Sequence, residues 1–228
     1  MSKPSAAARM GTEPLNPLLL SLAIPMMISM LVQALYNVVD SIFVSYVNEA
    51  ALSAVSLAFP IQNLLIAFAV GTAVGVNAHL SKSLGEGNRE EAERAAMNGL
   101  FLAVCSALGF LLFGLFGAEA FITSQTSDPL IARYGAEYLT ICTVFSIGCC
   151  LQCMMEKVLV ASGHSTYAMI TQMVGALTNI VLDPVFIFGL FGVPRMEAAG
   201  AAIATVIGQF AGAGTAFLLN AFSNHDVS

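Results

Sequence analysis

Two aspartates, Asp40 and Asp183, lie in long stretches of the chain that otherwise lack charge, within the segments Val-Val-Asp-Ser-Ile-Phe-Val and Val-Leu-Asp-Pro-Val-Phe-Ile. A charge at the centre of a bilayer costs at least about 2.5–3.5 kcal/mol, so acids in such stretches usually face a cavity or a partner and carry a function. Burial also disfavours the charged form of a carboxyl group. Each aspartate is therefore a candidate binding site for a proton or a cation, and the sequence indicates transport before it indicates an enzyme.

Each aspartate has a polar residue four positions earlier, which is one helical turn away on the same face. Asn179 precedes Asp183 in this way, and Tyr36 precedes Asp40. Both side chains can donate a hydrogen bond to a carboxylate or share a cation with it. If the fold brings the two acids together, repulsion and burial favour one shared proton, so that the pair titrates as a unit.

The elements that must position these residues are membrane spans. The chain of 228 residues is 57% hydrophobic and 10% charged, with a mean hydropathy of +0.82, whereas soluble domains carry about 25% charged residues. Six segments lack Asp, Glu, Lys and Arg: 14–39, 50–81, 95–118, 138–155, 158–182 and 198–225. Because about 20 apolar residues cross a bilayer, we predict six transmembrane helices. Their approximate bounds are 15–47, 51–82, 92–117, 134–160, 165–190 and 198–221.

The basic residues predict the orientation of these spans. With a cytoplasmic N-terminus, six of them lie inside (Lys3, Arg9, Lys82, Arg89, Arg94 and Lys157) and two lie outside (Arg133 and Arg195). This agrees with the excess of Lys and Arg found in cytoplasmic loops. We therefore predict a cytoplasmic tail over 1–14, a six-helix transmembrane lobe over 15–221 and a cytoplasmic tail over 222–228, in a multi-pass protein of the cell (plasma) membrane.

Other features indicate structure rather than chemistry. The net charge of −6 argues against a nucleic-acid partner, which requires a basic face. Cys150 and Cys153 have a C-x-x-C spacing without a second ligand pair, so we interpret them as packing residues and expect neither a metal site nor a cofactor. The motifs Gly71-x-x-x-Gly75 and Gly208-x-x-x-Gly212 predict close helix packing, within the lobe or between two copies.

The connecting segments add two smaller predictions. Asn88 is a candidate N-cap of the third span, because its side chain can accept from the first turn of the helix. Glu156 and Lys157 are predicted at the cytoplasmic end of the fourth span, as a gating pair or as contacts to other partners or lipid headgroups. Adjacent residues on a helix do not face one another.

The order of these motifs resembles one transporter family. Residues 179–189 followed by 200–209 are similar to the fifth and sixth helices of multidrug and toxic compound extrusion (MATE) transporters. Residues 39–44, 52–60, 75–78 and 84–87 fit the first two helices and the loop after them, and the similarity runs from about residue 15 to residue 220. The resemblance implies antiport of amphiphilic, often cationic, drugs or metabolites against H⁺ or Na⁺. It also implies a cation site formed by Asp40, Asn179, Asp183 and Thr205, with Tyr36 near it, and leaves the substrate-binding residues unknown.

One feature departs from the family. Its members have twelve helices in two lobes, and the chain matches the first lobe only. The chain is then a fragment, a truncated reading frame, or a half that pairs with a second six-helix lobe. A parallel homodimer would place two lobes about an axis along the membrane normal.

Three rival functions remain open. An intramembrane aspartyl protease also needs two buried aspartates, but its Tyr-Asp and Gly-x-Gly-Asp settings are absent because Val39 and Leu182 precede the acids here. A flippase of lipid-linked precursors shares the broad fold, although it favours basic residues that these spans nearly lack. The third alternative is a truncated fragment that does not transport.

Overall fold

A computed structural model describes residues 14–223, which form helices and no β-strand in that range. The helices are α1 (Leu15–Ser45), α2 (Glu49–Gly85), α3 (Arg89–Phe116), α4 (Ala118–Gln125), α5 (Pro129–Val144), α6 (Ile147–Ala161), α7 (Ser165–Phe188) and α8 (Glu197–Ser223), with a 3₁₀ turn at Leu190–Gly192 between the last two. Most of the predicted tails, residues 1–13 and 224–228, lies outside the described residues.

The prediction of six transmembrane spans is confirmed, with one of them bent. Helices α1, α2, α3, α7 and α8 are each long and apolar enough to cross a bilayer. Helices α5 and α6 meet at 46° and make the sixth span when they are taken together. The predicted single helix over 134–160 was therefore wrong in two respects, since it begins earlier and is broken in the middle.

Side-chain chemistry explains both differences. Asp128 caps α5 by accepting from the backbone N–H groups of Leu130 and Ile131, and Pro129 fits the first helical position. The break follows Val144, where the hydroxyl of Thr143 lies within hydrogen-bond distance of the carbonyls of Leu139 and Thr140. Such back-bonding competes with the helical ladder and bends helices. The break needs no proline, so the hydrophobic pattern did not reveal it.

The short helix α4 was not predicted, because it lies between two spans and is too short to cross a membrane. Its Ala118 and Ile122 are fully buried in the main hydrophobic cluster, one turn apart. Glu119 in the first turn complements the positive end of the helix dipole. The predicted cap of the third span is confirmed, because the Asn88 side chain accepts from the N–H of Glu91, and α3 begins directly afterwards at Arg89.

Glycines set the distance between α7 and α8. A Cβ atom added to Gly200 would lie 2.6 Å from the backbone of Phe186, and one added to Gly208 would lie 2.7 Å from the carbonyl oxygen of Gly175. The second motif predicted from sequence, which contains Gly208, is thus a packing face inside the lobe. A Cβ at Gly71 or Gly75 would meet no described atom within 4 Å, so the first motif makes no close helix contact within residues 14–223.

We expect Gly200→Ala to lower the thermal unfolding temperature of the detergent-solubilised protein, while Gly75→Ala leaves it unchanged or raises it. Both changes add one methyl group to a helix, where alanine is intrinsically favoured over glycine by about 1 kcal/mol. At Gly200 the methyl group meets backbone, which cannot move aside, and overpacking of this kind costs about 1–3 kcal/mol. Equal unfolding temperatures for the two variants would contradict the proposed close crossing of α7 and α8.

Candidate cation-binding site

Three helices bring the five predicted site residues to one region of the lobe. Helix α1 carries Tyr36 and Asp40, α7 carries Asn179 and Asp183, and α8 carries Thr205. Tyr36, Asn179 and Thr205 line one small cavity of about 30 Å³. The helices that carry Asp40 and Asp183 pack against each other, and the two carboxyl groups lie close enough to interact electrostatically.

The amide of Asn179 connects α7 to α8. Its Nδ2 lies 3.3 Å from Oδ1 of Asp183 and 3.3 Å from Oγ1 of Thr205, so the two N–H groups can be donated to the two neighbours. Asp183 is fully buried and Asn179 is 3% exposed. The one-turn spacing of Asn179 and Asp183 that the sequence suggested thus corresponds to a direct contact. Thr205 enters the same network from the neighbouring helix.

Three buried oxygen atoms of the site have no hydrogen-bond donor within residues 14–223. They are Oδ1 of Asp40, Oδ1 of Asn179 and Oδ2 of Asp183. Buried polar atoms in proteins are almost always paired, so three such atoms on neighbouring side chains require an explanation. A proton on either carboxyl group would supply a donor, and a bound Na⁺ would be coordinated by oxygen atoms of this kind. The arrangement fits a site for a small cation.

Pro184 adds a further free acceptor near the carboxyl group of Asp183. Proline lies inside α7 here and has no N–H to donate. The carbonyl of Ile180, one turn earlier, therefore lacks its usual helical partner. Unpaired backbone groups in a membrane are tolerated where they are buried in protein or line a cavity.

Tyr36 and Asp40 are arranged less tightly than the pair on α7. Both are only partly buried, and no hydrogen bond joins them in the described part of the chain. Tyr138 and Cys142 of α5 lie near Asp40, and both accept from the amide of Gln62, at 3.0 Å and 3.5 Å. Tyr138 and Cys142 were not predicted as neighbours of the site, because α5 follows Asp40 by about 90 residues.

Glu156 is a further buried acid, near the end of α6. It is 9% exposed, and its Oε1 is 3.0 Å from Nε2 of Gln152 and 3.0 Å from Oγ1 of Thr171. Of the alternatives that the sequence left open, contact with partners other than Lys157 is the one observed. A signal was present in the sequence, since Gln152 precedes Glu156 by four residues, the same spacing as Asn179 and Asp183.

Both cysteines of the C-x-x-C segment contribute to packing. Cys150 lies in a hydrophobic cluster with Met154, and Cys153 packs against the same cluster and lines a cavity together with Cys149. All five cysteines are free thiols. The part of the chain that the structure describes contains no cluster of three or more His, Cys, Asp or Glu side chains arranged to hold a metal ion.

Comparison with known proteins identifies the family that uses this architecture. The MatE family model matches residues 25–185. The chain belongs to the MatE family. It is 31% identical over 210 residues to a FAD transporter of Shewanella oneidensis, covering 86% of the chain and 43% of that relative. It is 28% identical over 198 residues to a probable multidrug resistance protein, NorM, of Thermotoga maritima, covering 86% of the chain and 42% of that relative.

Solved structures of MatE-type transporters have the same fold. A transporter of the MOP superfamily from Pyrococcus furiosus superposes with a TM-score of 0.88 at 27% identity, over 100% of this chain and 49% of that one. An outward-facing multidrug resistance transporter of the MATE family superposes with a TM-score of 0.83 at 27% identity, over 98% of this chain and 47% of that one. The chain is therefore a multi-pass membrane protein with the fold of one MATE lobe, and it spans about half the length of the relatives it matches.

We expect Thr205→Val to lower the free energy of unfolding by about 1 kcal/mol, because the Asn179 amide loses one of its two acceptors. Thr215→Val is the matched control on the same helix, since that hydroxyl bonds only to the carbonyl of Ala211 in its own helix. Thermal unfolding in detergent measures both. A smaller effect for Thr205→Val than for the control would show that the bridge between α7 and α8 contributes nothing to stability.

Proposed function

We propose that this chain is the cation-binding lobe of an efflux antiporter that exports amphiphilic, often cationic, drugs or metabolites in exchange for H⁺ or Na⁺. The observation that carries the proposal is the set of three buried oxygen atoms without donors on Asp40, Asn179 and Asp183. The MatE relatives, which include multidrug resistance proteins and a FAD transporter, support export of organic molecules without fixing the substrate of this chain.

The coupling follows from differential affinity. A bound cation neutralises the acids and supplies the missing partner of their oxygens, so it stabilises the conformation in which α1 and α7 stay close. Release of the cation restores the negative charge, which favours binding of a cationic substrate and separates the two acids. Cation and substrate then favour different conformations, and each lowers the affinity for the other to the same degree. We infer that α1 moves, because it carries Asp40 and is interrupted by Pro25, which removes a helical hydrogen bond.

The flippase alternative predicts a different charge pattern in the cavity. The larger cavity beside the site, of about 190 Å³, is lined by one acid and one base, Glu156 and Lys157. Its formal charge is therefore balanced, and it offers no excess of positive charge for an anionic lipid headgroup. A substrate that is cationic or neutral fits this lining better than a lipid phosphate does.

We expect Asp40→Asn and Asp183→Asn each to abolish cation-driven efflux of ethidium or norfloxacin from membrane vesicles while the protein remains in the membrane. The amide keeps the shape of the side chain but cannot exchange a proton or carry the negative charge that holds Na⁺. Asp128→Asn is the control, since this acid is an exposed helix cap and asparagine caps equally well. Imposing a proton gradient and a sodium gradient separately identifies the coupling ion. Full efflux by both site variants would contradict the proposed roles.

We also propose that the lobe works against a second six-helix lobe, supplied by another polypeptide or by a second copy. Relatives that are about twice as long support this, and so do the large apolar side chains that α1 exposes, among them Met27 at 68%. In a Cys105→Ser background, a Met27→Cys variant should form crosslinked species with a short bismaleimide in membranes. Leu108→Cys, exposed on α3, is the control and should form none. If both variants remain monomeric after treatment with the bismaleimide, the result argues against a lobe partner at α1.

A further inference from the structure

A second buried acid, Glu156 of α6, has a built environment that the proposed cation site does not use. Its side chain is 9% exposed, and its Oε1 lies 3.0 Å from Nε2 of Gln152 and 3.0 Å from Oγ1 of Thr171. The Gln152 amide also lies 3.1 Å from Oε1 of Gln172, so both of its N–H groups are donated. The carboxyl group is therefore held from two helices, α6 and α7.

The hydroxyl of Thr171 permits two hydrogen-bond arrangements at the same positions of the heavy atoms. It lies 2.7 Å from the carbonyl oxygen of Ala168 as well as 3.0 Å from Glu156, but it has one proton to give. When Glu156 is charged, Thr171 donates to it. When Glu156 is protonated, the acid donates to Thr171, and Thr171 donates to Ala168. Gln152 donates in both cases, so both forms of the acid are satisfied.

Glu156 also opens onto space that a ligand can enter. It lines the cavity of about 190 Å³, which has room for several water molecules or one small cationic group. Its Oε2 makes no hydrogen bond to any residue within 14–223. Four polar side chains line both this cavity and the smaller one that contains Asn179 and Thr205; they are Tyr36, Gln152, Gln172 and Gln209. Polar groups thus continue from Glu156 to the neighbours of Asp183.

The surrounding helices leave Glu156 with one charged neighbour. Lys157 follows it on α6 and lines the same cavity, as do the thiols of Cys149 and Cys153. Helix α1 contributes the phenol of Tyr36, while the residues of α2, α7 and α8 that line this cavity are uncharged. Neither Asp40 nor Asp183 lines this cavity.

We propose that Glu156 is a second exchange site of this lobe: it holds a proton when the cavity contains no organic cation, and it binds the cationic group of a ligand when that proton has left. The identity of the ligand class rests on the proposed function. The existence of the site does not rest on the proposed function, because proton binding at Glu156 can be measured without transport. The Thr171 hydroxyl is a positioning group that keeps the acid hydrogen-bonded in either form.

Dicyclohexylcarbodiimide tests the site in the full chain in membranes. It reacts with a protonated carboxyl group, whose O–H adds across one C=N bond to give an O-acylurea that rearranges to a stable N-acylurea, with no atom lost. Mass spectrometry of peptides reads Glu156 and Asp183 separately in one sample. We expect an adduct on Glu156 that decreases as pH rises from mildly acidic to mildly alkaline, and that tetraethylammonium suppresses several-fold. Asp183 reports independently on the proposed cation site, so failure of one site is distinguishable from failure of the other.

Two variants separate proton binding from a purely structural role. Thr171→Val removes the hydroxyl that donates to charged Glu156 and accepts from protonated Glu156. It should shift the pH at which labelling of Glu156 is half-maximal. Thr178→Val is the control on α7, since that hydroxyl bonds only to Val174 in its own helix, and it should leave the profile unchanged. Glu156→Gln should remove the adduct from its peptide, retain the adduct on Asp183 and weaken tetraethylammonium binding about tenfold.

Three outcomes would overturn the proposal. They are a labelled Asp183 with no adduct on Glu156 at any pH, an adduct on Glu156 that neither pH nor tetraethylammonium changes, and unchanged tetraethylammonium binding in Glu156→Gln. Unchanged tetraethylammonium binding is decisive even if the carbodiimide reaches neither acid, because this experiment measures ligand binding directly. A shift of the labelling profile by Thr178→Val equal to that by Thr171→Val would remove the role assigned to the hydroxyl.

Discussion

The close crossing of α7 and α8 is the constraint on which the rest of the site depends. At this crossing a Cβ atom on Gly208 would lie 2.7 Å from the carbonyl of Gly175 and 3.1 Å from Cβ of Asn179. Because both positions are glycine, the backbones of α7 and α8 approach closely. The amide of Asn179 can therefore contact Thr205 on α8 as well as Asp183 on its own helix. A larger residue would separate the helices and break the contact between Asn179 on α7 and Thr205 on α8.

The lobe compensates its two buried acids on α6 and α7 in different ways. Glu156 receives two hydrogen bonds on one oxygen and has a hydroxyl partner that can reverse its direction. Asp183 receives one amide contact and keeps its second oxygen buried and unpaired. An unpaired buried acceptor is costly, so the aspartate is the acid whose surroundings most require a cation or a proton. The two acids are therefore suited to different steps. Glu156 lines a cavity, whereas Asp183 is fully buried.

Sequence patterns predicted the fold well where composition alone decides it. Six charge-free segments gave six spans because a bilayer admits only long apolar helices with internally paired backbones. The break after Val144 and the helix Ala118–Gln125 were missed, since they depend on side-chain hydrogen bonds and on packing that no periodic pattern records. The Asn179–Asp183 contact was predictable because it lies within one helix. Thr205 was assigned to the site by family resemblance. The partners of Glu156 were not predicted, because Thr171 lies on another helix.

The distribution of packing across the helices explains which part of the site can respond to charge. Asp183 and Asn179 lie on α7, which packs on α8 through backbone contacts that leave no free space. Asp40 lies on α1, where only 11% of the most apolar window is buried within the lobe and where proline interrupts the helical hydrogen bonds at Pro25. The proposed coupling therefore assigns the movement to α1, whose Asp40 is only partly buried, rather than to α7, whose Asp183 is fully buried.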